Sequence, residues 1–172
     1  MVSKRNEIII KDSCILFDVV DLDIIKDFFL LEDVIVYTTP QVIDEIRDEN
    51  QLNEITKFID SKKLLIDGEG QYSEILSVTH GCHGLSFADA SVIECAHRKN
   101  AMILSSDKTL RNEAARKCLT VGGILWIIEE LVMKNIITIE AAVDKLKLYP
   151  VINSRAPKED IKKLIIKFQN NL

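Results

Sequence analysis

Short apolar runs alternate with stretches of helical periodicity along most of the chain. The runs are rich in β-branched residues and are bounded by polar residues, as strands are. The predicted strands are Glu7–Ile10, Val34–Tyr37, Leu64–Ile66, Met102–Ser105 and Leu119–Val121. Because strands that alternate with helices form parallel sheets with helices on both faces, this pattern predicts an α/β fold.

The helical stretches carry apolar residues three and four positions apart. Thr39 and Pro40 supply an N-cap and a first-turn proline for one helix, and Asp21 and Asp23 precede the apolar positions of another as candidate caps. The predicted helices lie at 24–31, 40–46, 55–59, 72–78, 86–99, 110–117, 124–133, 138–148 and 157–168. From Gly123 onward the pattern is entirely helical, so we expect the last helices to pack on the sheet as an extension.

The composition is that of an ordinary globular protein. The chain has 172 residues, of which 47% are hydrophobic and 28% charged, enough for one domain with a substantial core. Its apolar runs are too short to cross a bilayer and its first residues do not resemble a secretory signal, so we expect a cytoplasmic protein without membrane association. The four cysteines are far apart in the sequence and are expected to be free thiols: Cys14, Cys82, Cys95 and Cys118.

Four acidic residues lie at or near the boundaries between predicted strands and helices. Asp12 follows the first strand, Asp107 follows the fourth, and Glu45 lies one turn into the helix after the second. Asp89 is three residues after Ser86, so these two residues have the form of a capping box in which aspartate replaces glutamate. The carboxyl ends of parallel strands share one edge of the sheet, where ligands bind, and we expect the acids to meet there.

Each acid taken singly also has a structural explanation. Asp12 and Asp107 are equally typical of turns, Glu45 of a solvated helix surface, and Asp89 of a helix cap. A cluster of all four is more informative, because the carboxylates would repel one another unless a cation neutralised them. Ligands that are all oxygen atoms suit Mg²⁺ or Mn²⁺, and such ions would offset the net charge of −5 where a phosphate binds. The constellation therefore predicts phosphodiester chemistry.

Four segments of the sequence resemble the motifs of the PIN domain nucleases, which include the VapC-like metal-dependent ribonucleases. An apolar strand ends in Asp12 followed by Ser13, and Pro40-Gln41-Val42 leads to Glu45 in a helix start. The third and fourth segments, Leu85–Ala90 and Ile103–Arg111, carry Asp89 and Asp107. The order and spacing agree over roughly residues 7–135, which makes the set specific although each motif alone is weak.

The resemblance implies a fold and a function for the whole chain. The expected fold is a three-layer α/β/α domain that spans residues 1–172, with a central parallel sheet of four to five strands. Its core covers about 7–135 and a helical extension about 138–172. The expected function is that of a metal-dependent endoribonuclease acting on RNA. Many relatives are the toxins of bacterial toxin–antitoxin pairs, which implies a small antitoxin protein as a possible partner.

The resemblance also implies roles for the acids and for the two serines near them. Asp12, Asp89 and Asp107 would hold Mg²⁺ or Mn²⁺, and Glu45 would be a further ligand or would orient the attacking water. The serines would donate hydrogen bonds to the carboxylates, as Ser13 and Ser105. Many relatives carry a polar residue after the first serine, and Cys14 in its place removes that support for Asp12.

The sequence also contains two candidate phosphate-binding residues and an apolar stripe. Lys108 and Arg111 follow Asp107 and are candidate phosphate contacts, although a solvated helix start explains them equally well. The stripe is expected to be core or dimer interface, and it comprises Leu125, Ile128, Leu131 and Val132. An exposed Trp126 beside it would favour self-association, so we expect a homodimer.

The sequence is also compatible with other functions. A zinc site is suggested by five residues of suitable type, namely His80, Cys82, His83, Cys95 and His97. Their spacing fits no standard zinc-ligand pattern, however, and residues 80–84 are typical of a loop. Asp18, Asp21 and Asp23 would widen the metal site, although helix capping explains them more simply. A catalytically silent PIN-like module would bind RNA or protein without cleavage. A haloacid dehalogenase-type phosphohydrolase needs a second Asp at the position of Cys14, and paired acids typical of a response-regulator receiver are not evident.

Overall fold

A computed structural model of the protein describes residues 6–10 and 13–170. Within these residues the strands are β1 (Asn6–Ile10), β2 (Val34–Thr38), β3 (Leu64–Ile66), β4 (Met102–Leu104) and β5 (Val121–Gly122). The helices are α1 (Ser13–Asp21), α2 (Ile25–Phe28), α3 (Pro40–Asp44), α4 (Glu49–Asp60), α5 (Tyr72–Gly81), α6 (Phe87–Lys99), α7 (Lys108–Arg116), α8 (Ile124–Met133), α9 (Ile139–Ile152) and α10 (Lys158–Gln169). The chain forms two compact units, one from residues 1–16 and 32–122 and the other from 17–31 and 123–172.

The first unit contains a sheet in which the described strands are all parallel, in the order β3-β2-β1-β4-β5. The α/β fold class with a parallel sheet is therefore confirmed. Strands β2 and β3 extend the sheet on one side of β1, whereas β4 and β5 extend it on the other. The register pairs Ile10 with Leu104, so β1 and β4 end side by side. This reversal of strand order creates a switch point at the carboxyl ends of β1 and β4, where open α/β sheets bind ligands.

Helix α6 is the central helix of the first unit. Its residues from Ala88 to Ala96 are all buried, and it packs against β1, β4, α3 and α5. Small side chains such as Ala88, Ala90 and Ala96 allow this close approach, while Val92 and Ile93 fill the core beside Ile103. The dense packing around α6 fixes the position of Asp89 in its first turn.

The second unit is helical among its described residues. Helix α9 packs against α8 and α10, and α8 also contacts α2. Ile128 and Leu131 of the predicted apolar stripe are buried in this unit, and Trp126 is half-buried rather than exposed. Three polar side chains also form hydrogen bonds within this unit. The Tyr149 hydroxyl donates to Asp18 Oδ2 at 3.0 Å, and Asn153 Nδ2 donates to the same oxygen at 3.0 Å. Burial raises the pKa of Asp18, and these hydrogen bonds oppose the rise.

The helix caps predicted from the sequence are confirmed in two helices of the first unit. Thr39 Oγ1 accepts from the Val42 amide at the start of α3. Ser86 and Asp89 form a reciprocal capping box at the start of α6, in which each side chain accepts from the other residue's amide. These local rules succeed because each cap satisfies backbone donors within its own turn.

Several predicted boundaries are wrong. Helix α1 was not expected, and the helix predicted at 24–31 is confined to α2, whose N-cap Ile24 makes no side-chain capping bond. The capping role given to Asp21 and Asp23 is therefore wrong: Asp21 ends α1, and Asp23 has a left-handed backbone with φ of 52°. The last strand lies at Val121–Gly122 rather than 119–121. Helix α5 continues through residues 80 and 81, which were expected in a loop, and α9 runs past Pro150 to Ile152.

No helix in the described part of the chain is long and apolar enough to span a membrane.

Candidate functional site

Asp89 lies in the first turn of α6, and its side chain is buried. The residue is 6% exposed, its Oδ2 accepts from the Ser86 amide at 2.9 Å, and its own amide donates to Ser86 Oγ at 3.0 Å. The structure thus shows the capping role of Asp89. A carboxylate has about four lone-pair sites, so the hydrogen bond from Ser86 leaves capacity for further ligands.

Asp107 follows β4 and caps α7. Its Oδ1 accepts from the Leu110 amide at 2.8 Å, and its amide donates to the Oγ of Ser105 at 3.0 Å. Ser105 is fully buried, so it fixes the main chain of Asp107 at the end of the strand. The sequence predicted that Ser105 would support an acid, and the described contact reaches the backbone of Asp107 rather than its carboxylate.

The starts of α6 and α7 lie next to each other. Gly84, which leads into α6, is so close to the first turn of α7 that a Cβ atom added to it would lie 3.8 Å from Cγ2 of Thr109. Gly84 also has φ of +94°, a left-handed conformation that glycine adopts readily. The segment that leads into α6 therefore lies close to the first turn of α7.

Arg111 and Lys108 differ in what they contact. Arg111 Nη1 donates to the carbonyl oxygen of Ser105 at 2.9 Å and to that of Gly122 at 3.3 Å, so this guanidinium joins the ends of β4 and β5. Lys108 is exposed in the first turn of α7. The structure gives Arg111 a structural role at the strand ends and leaves Lys108 as the more accessible cation.

Glu45 is placed differently from the sequence prediction. Helix α3 ends at Asp44, so Glu45 is its C-cap residue rather than part of the helix, and it is exposed. Helix α3 is nevertheless held to α6, because the hydroxyl groups of Thr39 and Ser91 form a buried hydrogen bond of 2.7 Å. Ser91 Oγ also donates to the Ala88 carbonyl at 2.7 Å, so the hydrogen of the first bond comes from Thr39.

Asp12 lies outside the described residues, and so does the side chain of Ser13. Among the residues that are described, no three His, Cys, Asp or Glu side chains come together as a cation site, and this holds for the histidines and cysteines considered for zinc. Glu45, Asp89 and Asp107 do not form such a group by themselves. The four-acid site remains a prediction that depends on Asp12.

Sequence reasoning missed another acidic residue at the carboxyl edge of the sheet. Asp67 directly follows β3 and is buried beside the end of α6. Its Oδ1 lies 2.7 Å from Nη2 of Arg98, and its Oδ2 lies 2.9 Å from Nζ of Lys99. Arg98 also pairs with Glu94 at 2.9 Å, and Lys99 lies 4.4 Å from the centre of the Tyr37 ring. The network ties the end of α6 to the loop after β3.

The charged groups of this network shift one another's pKa values. Burial works to raise the pKa of Asp67, but hydrogen bonds from Arg98, Lys99 and the Glu69 amide outweigh it and hold that pKa well below its usual range. Hydrogen bonds to Glu94 and Asp67 raise the pKa of Arg98. Burial, followed by the charge of Asp67, raises the pKa of the Cys95 thiol to about 12. The sequence signal was present, since Asp67 also follows a strand and Glu94 and Arg98 are four residues apart.

Comparisons with known proteins agree with this fold. A family model described as PIN domain matches residues 8–167. The crystal structure of PAE2754 from Pyrobaculum aerophilum superposes with a TM-score of 0.52 at 13% sequence identity, covering 75% of this chain and 98% of that one. No protein in the curated set matches the sequence.

The chain belongs to the PIN domain family, because the family match covers most of its length. The resemblance noted from the four motifs is thereby confirmed, as is the PIN fold. PIN domains are generally nucleases and typically use divalent metal ions, so the protein is a nuclease-like module.

Proposed function

We propose that this protein is a divalent-metal-dependent endoribonuclease that uses Asp12, Glu45, Asp89 and Asp107. The observation that carries the proposal is the closeness of two helix starts. Gly84, just before α6, lies beside Thr109 in the first turn of α7, and the two helices begin with the buried Asp89 and with Asp107. In a PIN domain, this is the edge of the sheet where a ligand is expected.

The donor set fits a divalent ion by its chemistry. The four acids offer only carboxylate oxygens, which Mg²⁺ and Mn²⁺ prefer. Asp107 supports this fit in a second way, because no lysine or arginine in the described part of the chain forms an ion pair with its carboxylate. Asp12, Asp89 and Asp107 would hold the metal, with Glu45 as a further ligand. When bound, the metal would lower the pKa of a water and stabilise charge on the scissile phosphate.

The protein's own groups would position the substrate. Exposed Glu45 can accept a hydrogen bond from the attacking water and orient it, as an alternative to binding the metal directly. Lys108 at the start of α7 would contact a phosphate oxygen of the RNA backbone. Ser105 and Arg111 would keep the ends of β4 and β5 in place, so that Asp107 keeps its position.

The proposal is tested by replacing the acids with their amides. Asp89→Asn keeps an oxygen that accepts from Ser86, and Asp107→Asn keeps an equally good N-cap, so both variants should fold. Loss of a metal-binding charge should lower Mg²⁺- or Mn²⁺-dependent cleavage of labelled RNA by at least about a hundred-fold, since even outer-sphere changes cost roughly 10- to 100-fold. Thermal unfolding would check that the fold is intact.

A matched control is available in α4. Asp48 is also an N-cap aspartate, and its Oδ1 accepts from the Gln51 amide at 2.9 Å, but it is exposed and belongs to none of the four motifs. Asp48→Asn should cleave RNA like the wild type. If Asp89→Asn and Asp107→Asn were as active as this control, the assignment of the acids would be wrong.

The alternative function is a catalytically silent PIN-like module that binds RNA or protein. In such a module the fold would be kept for binding, and the acids would hold no metal ion. Calorimetric titration with Mn²⁺ separates the two functions. Binding that disappears in Asp89→Asn supports the nuclease, whereas absence of binding in the wild type supports the silent module.

A narrower form of the proposal is the toxin of a toxin–antitoxin pair. It rests on the resemblance to toxin families and would require a small antitoxin partner, with a homodimer as the functional form. Expression of the wild type should then arrest bacterial growth, and expression of Asp89→Asn should not. Equal growth in both cases would contradict the toxin role.

A further inference from the structure

Two aromatic side chains form an exposed pair in the first unit. The ring centres of Tyr72 and Phe87 are 5.2 Å apart, with the planes inclined by 47°. Tyr72 is 67% exposed, although it is one of the largest side chains in the protein, and Phe87 is half-buried. Packing within the unit does not require Tyr72 at this position, yet contact with Phe87 holds its ring in a defined orientation and leaves most of its surface in water.

The aromatic pair lies at the edge of the sheet that carries the candidate acids. Tyr72 begins α5, which follows β3, and Phe87 begins α6. The carboxylate of Asp89 accepts from the amide of Ser86, the residue directly before Phe87. Neighbouring Cα atoms are about 3.8 Å apart, so the backbone that carries the Phe87 ring lies within roughly two residue lengths of this carboxylate.

A nucleobase is the ligand that best matches these features. An exposed, preoriented aromatic ring offers a flat face, and stacking on such a face is how proteins hold unpaired bases without reading their sequence edges. A strand whose scissile phosphate lies at Asp89 would lie close to the start of α6, the helix that carries Phe87. The net charge of −5 makes this contact more important, because backbone attraction over the whole surface is weak.

We propose that Tyr72 and Phe87 form a base-stacking subsite that holds an unpaired base beside Asp89 and thereby selects the phosphodiester bond presented to the acids. The selection of a bond rests on the proposed nuclease function, whereas stacking of a base does not require cleavage. Tyr72 supplies the open ring face, and Phe87 is the positioning residue that fixes the orientation of Tyr72.

The test measures binding without metal, so that it is independent of activity. A short fluorescently labelled oligoadenylate and an abasic oligonucleotide of equal length are titrated in EDTA, with fluorescence anisotropy as the readout. Stacking is worth about 1–3 kcal/mol per base, so Tyr72→Ala should weaken oligoadenylate binding about 5- to 150-fold. It should leave binding of the abasic strand unchanged, because that strand keeps the phosphates and lacks the bases.

Other variants make the result specific to the ring. Tyr72→Phe should bind like the wild type, and Phe87→Leu, which keeps the apolar volume, should cause a smaller loss than Tyr72→Ala. The control Val151→Ala shortens an apolar side chain of the second unit that is even more exposed, at 80%, and should have no effect. Tyr72→Leu serves as a second variant if Tyr72→Ala does not fold, and its oligoadenylate binding should be weakened in the same way.

Three results of the binding test would overturn the subsite. They are equal oligoadenylate binding by Tyr72→Ala and wild type, an equal loss for the abasic strand, and no binding of either strand by the wild type. If Tyr72→Ala changed the sedimentation coefficient of the protein and left RNA binding intact, the aromatic pair would be a protein contact. This result would also overturn the subsite. Failure of the nuclease proposal is seen separately, as undiminished cleavage by Asp89→Asn.

Discussion

Replacement of Asp67 by asparagine should destabilise the protein by about 3 kcal/mol. The change keeps the shape of the side chain and removes its charge. Asp67 is buried, with only 2% of its side chain exposed, and its two oxygens face the cations Arg98 and Lys99. Loss of this charge should therefore leave two partly buried cations without their shared partner.

The magnitude follows from the individual contacts. The remaining oxygen of the amide can still accept from Arg98 Nη2 and from the Glu69 amide, which lie 2.7 and 3.0 Å from Asp67 Oδ1. The new NH₂ group would face Lys99 Nζ at 2.9 Å and Arg98 Nη1 at 3.3 Å, and all of these groups are donors. Two hydrogen bonds to charged groups are lost, at about 1.5–3 kcal/mol each. Partial solvation of both cations reduces the total to about 3 kcal/mol.

Urea unfolding followed by far-ultraviolet circular dichroism measures this loss. The control is Lys163→Gln, which breaks a pair with Asp160 whose side chains are 78% and 62% exposed and should cost less than about 0.5 kcal/mol. Hydrogen exchange of the α6 amides should show where the destabilisation acts. A loss for Asp67→Asn no larger than that of the control would refute the view that Asp67 anchors α6.

The lowered pKa of Asp67 fixes the direction in which stability depends on pH. The pKa of Asp67 is lowered in the folded protein from its ordinary value of 3.8, so the folded state favours the charged form. Its contribution is fully present above that value and is lost as the pH falls from there through the folded-state pKa. The difference in stability between wild type and Asp67→Asn should therefore be constant near neutral pH and shrink below about pH 4. A difference that grew on acidification would contradict the lowered pKa.

Three further predictions concern other contacts. Gly70→Ala should cost about 1–3 kcal/mol in urea unfolding, because its Cβ would lie 2.8 Å from Oε2 of Glu94, a carboxylate that its ion pair with Arg98 holds in place. Gly68→Ala meets nothing within 4 Å and should be neutral. Tyr149→Phe should lower stability by about 1–2 kcal/mol through loss of its buried hydrogen bond to a carboxylate, and an unchanged thermal midpoint would contradict this. At pH 8 iodoacetamide should label exposed Cys118 and spare buried Cys95 in mass spectrometry, because the pKa of the Cys95 thiol is raised to about 12; equal labelling would show that this thiol is accessible.

Local signals in the sequence were enough to predict the caps of α3 and α6. Thr39, Ser86 and Asp89 make bonds within their own turns, so short stretches of sequence contain both partners. Helix α1 was missed although Ile15, Leu16 and Val19 have helical spacing and are buried. Its apolar, β-branched composition is equally compatible with other structures in isolation, and only tertiary packing decides between them.

Nonlocal contacts could not be predicted in the same way. Arg98 and Asp67 are 31 residues apart, and Tyr72 and Phe87 come from different helices. Nothing in the sequence near Arg111 indicated that its guanidinium would bind the carbonyl oxygens at two strand ends. Such contacts depend on the order of the strands and on the crossing of helices, which the hydrophobic pattern does not specify.

Two acids that follow strands show most clearly that nonlocal contacts decide the role of a residue. Asp67 follows β3 and Asp107 lies just beyond β4, so the sequence gives both the same signal. The protein supplies Arg98 and Lys99 to the carboxylate of Asp67, which makes its charge part of the structure. In the described part of the chain no such cation pairs with Asp107, and the strand that bears it lies beside the switch point. An acid whose charge is already neutralised by fixed cations has little affinity left for a metal ion, whereas the charge of Asp107 remains available to one. The environment of each carboxylate, rather than its place in the sequence, therefore separates the structural acid from the candidate ligand.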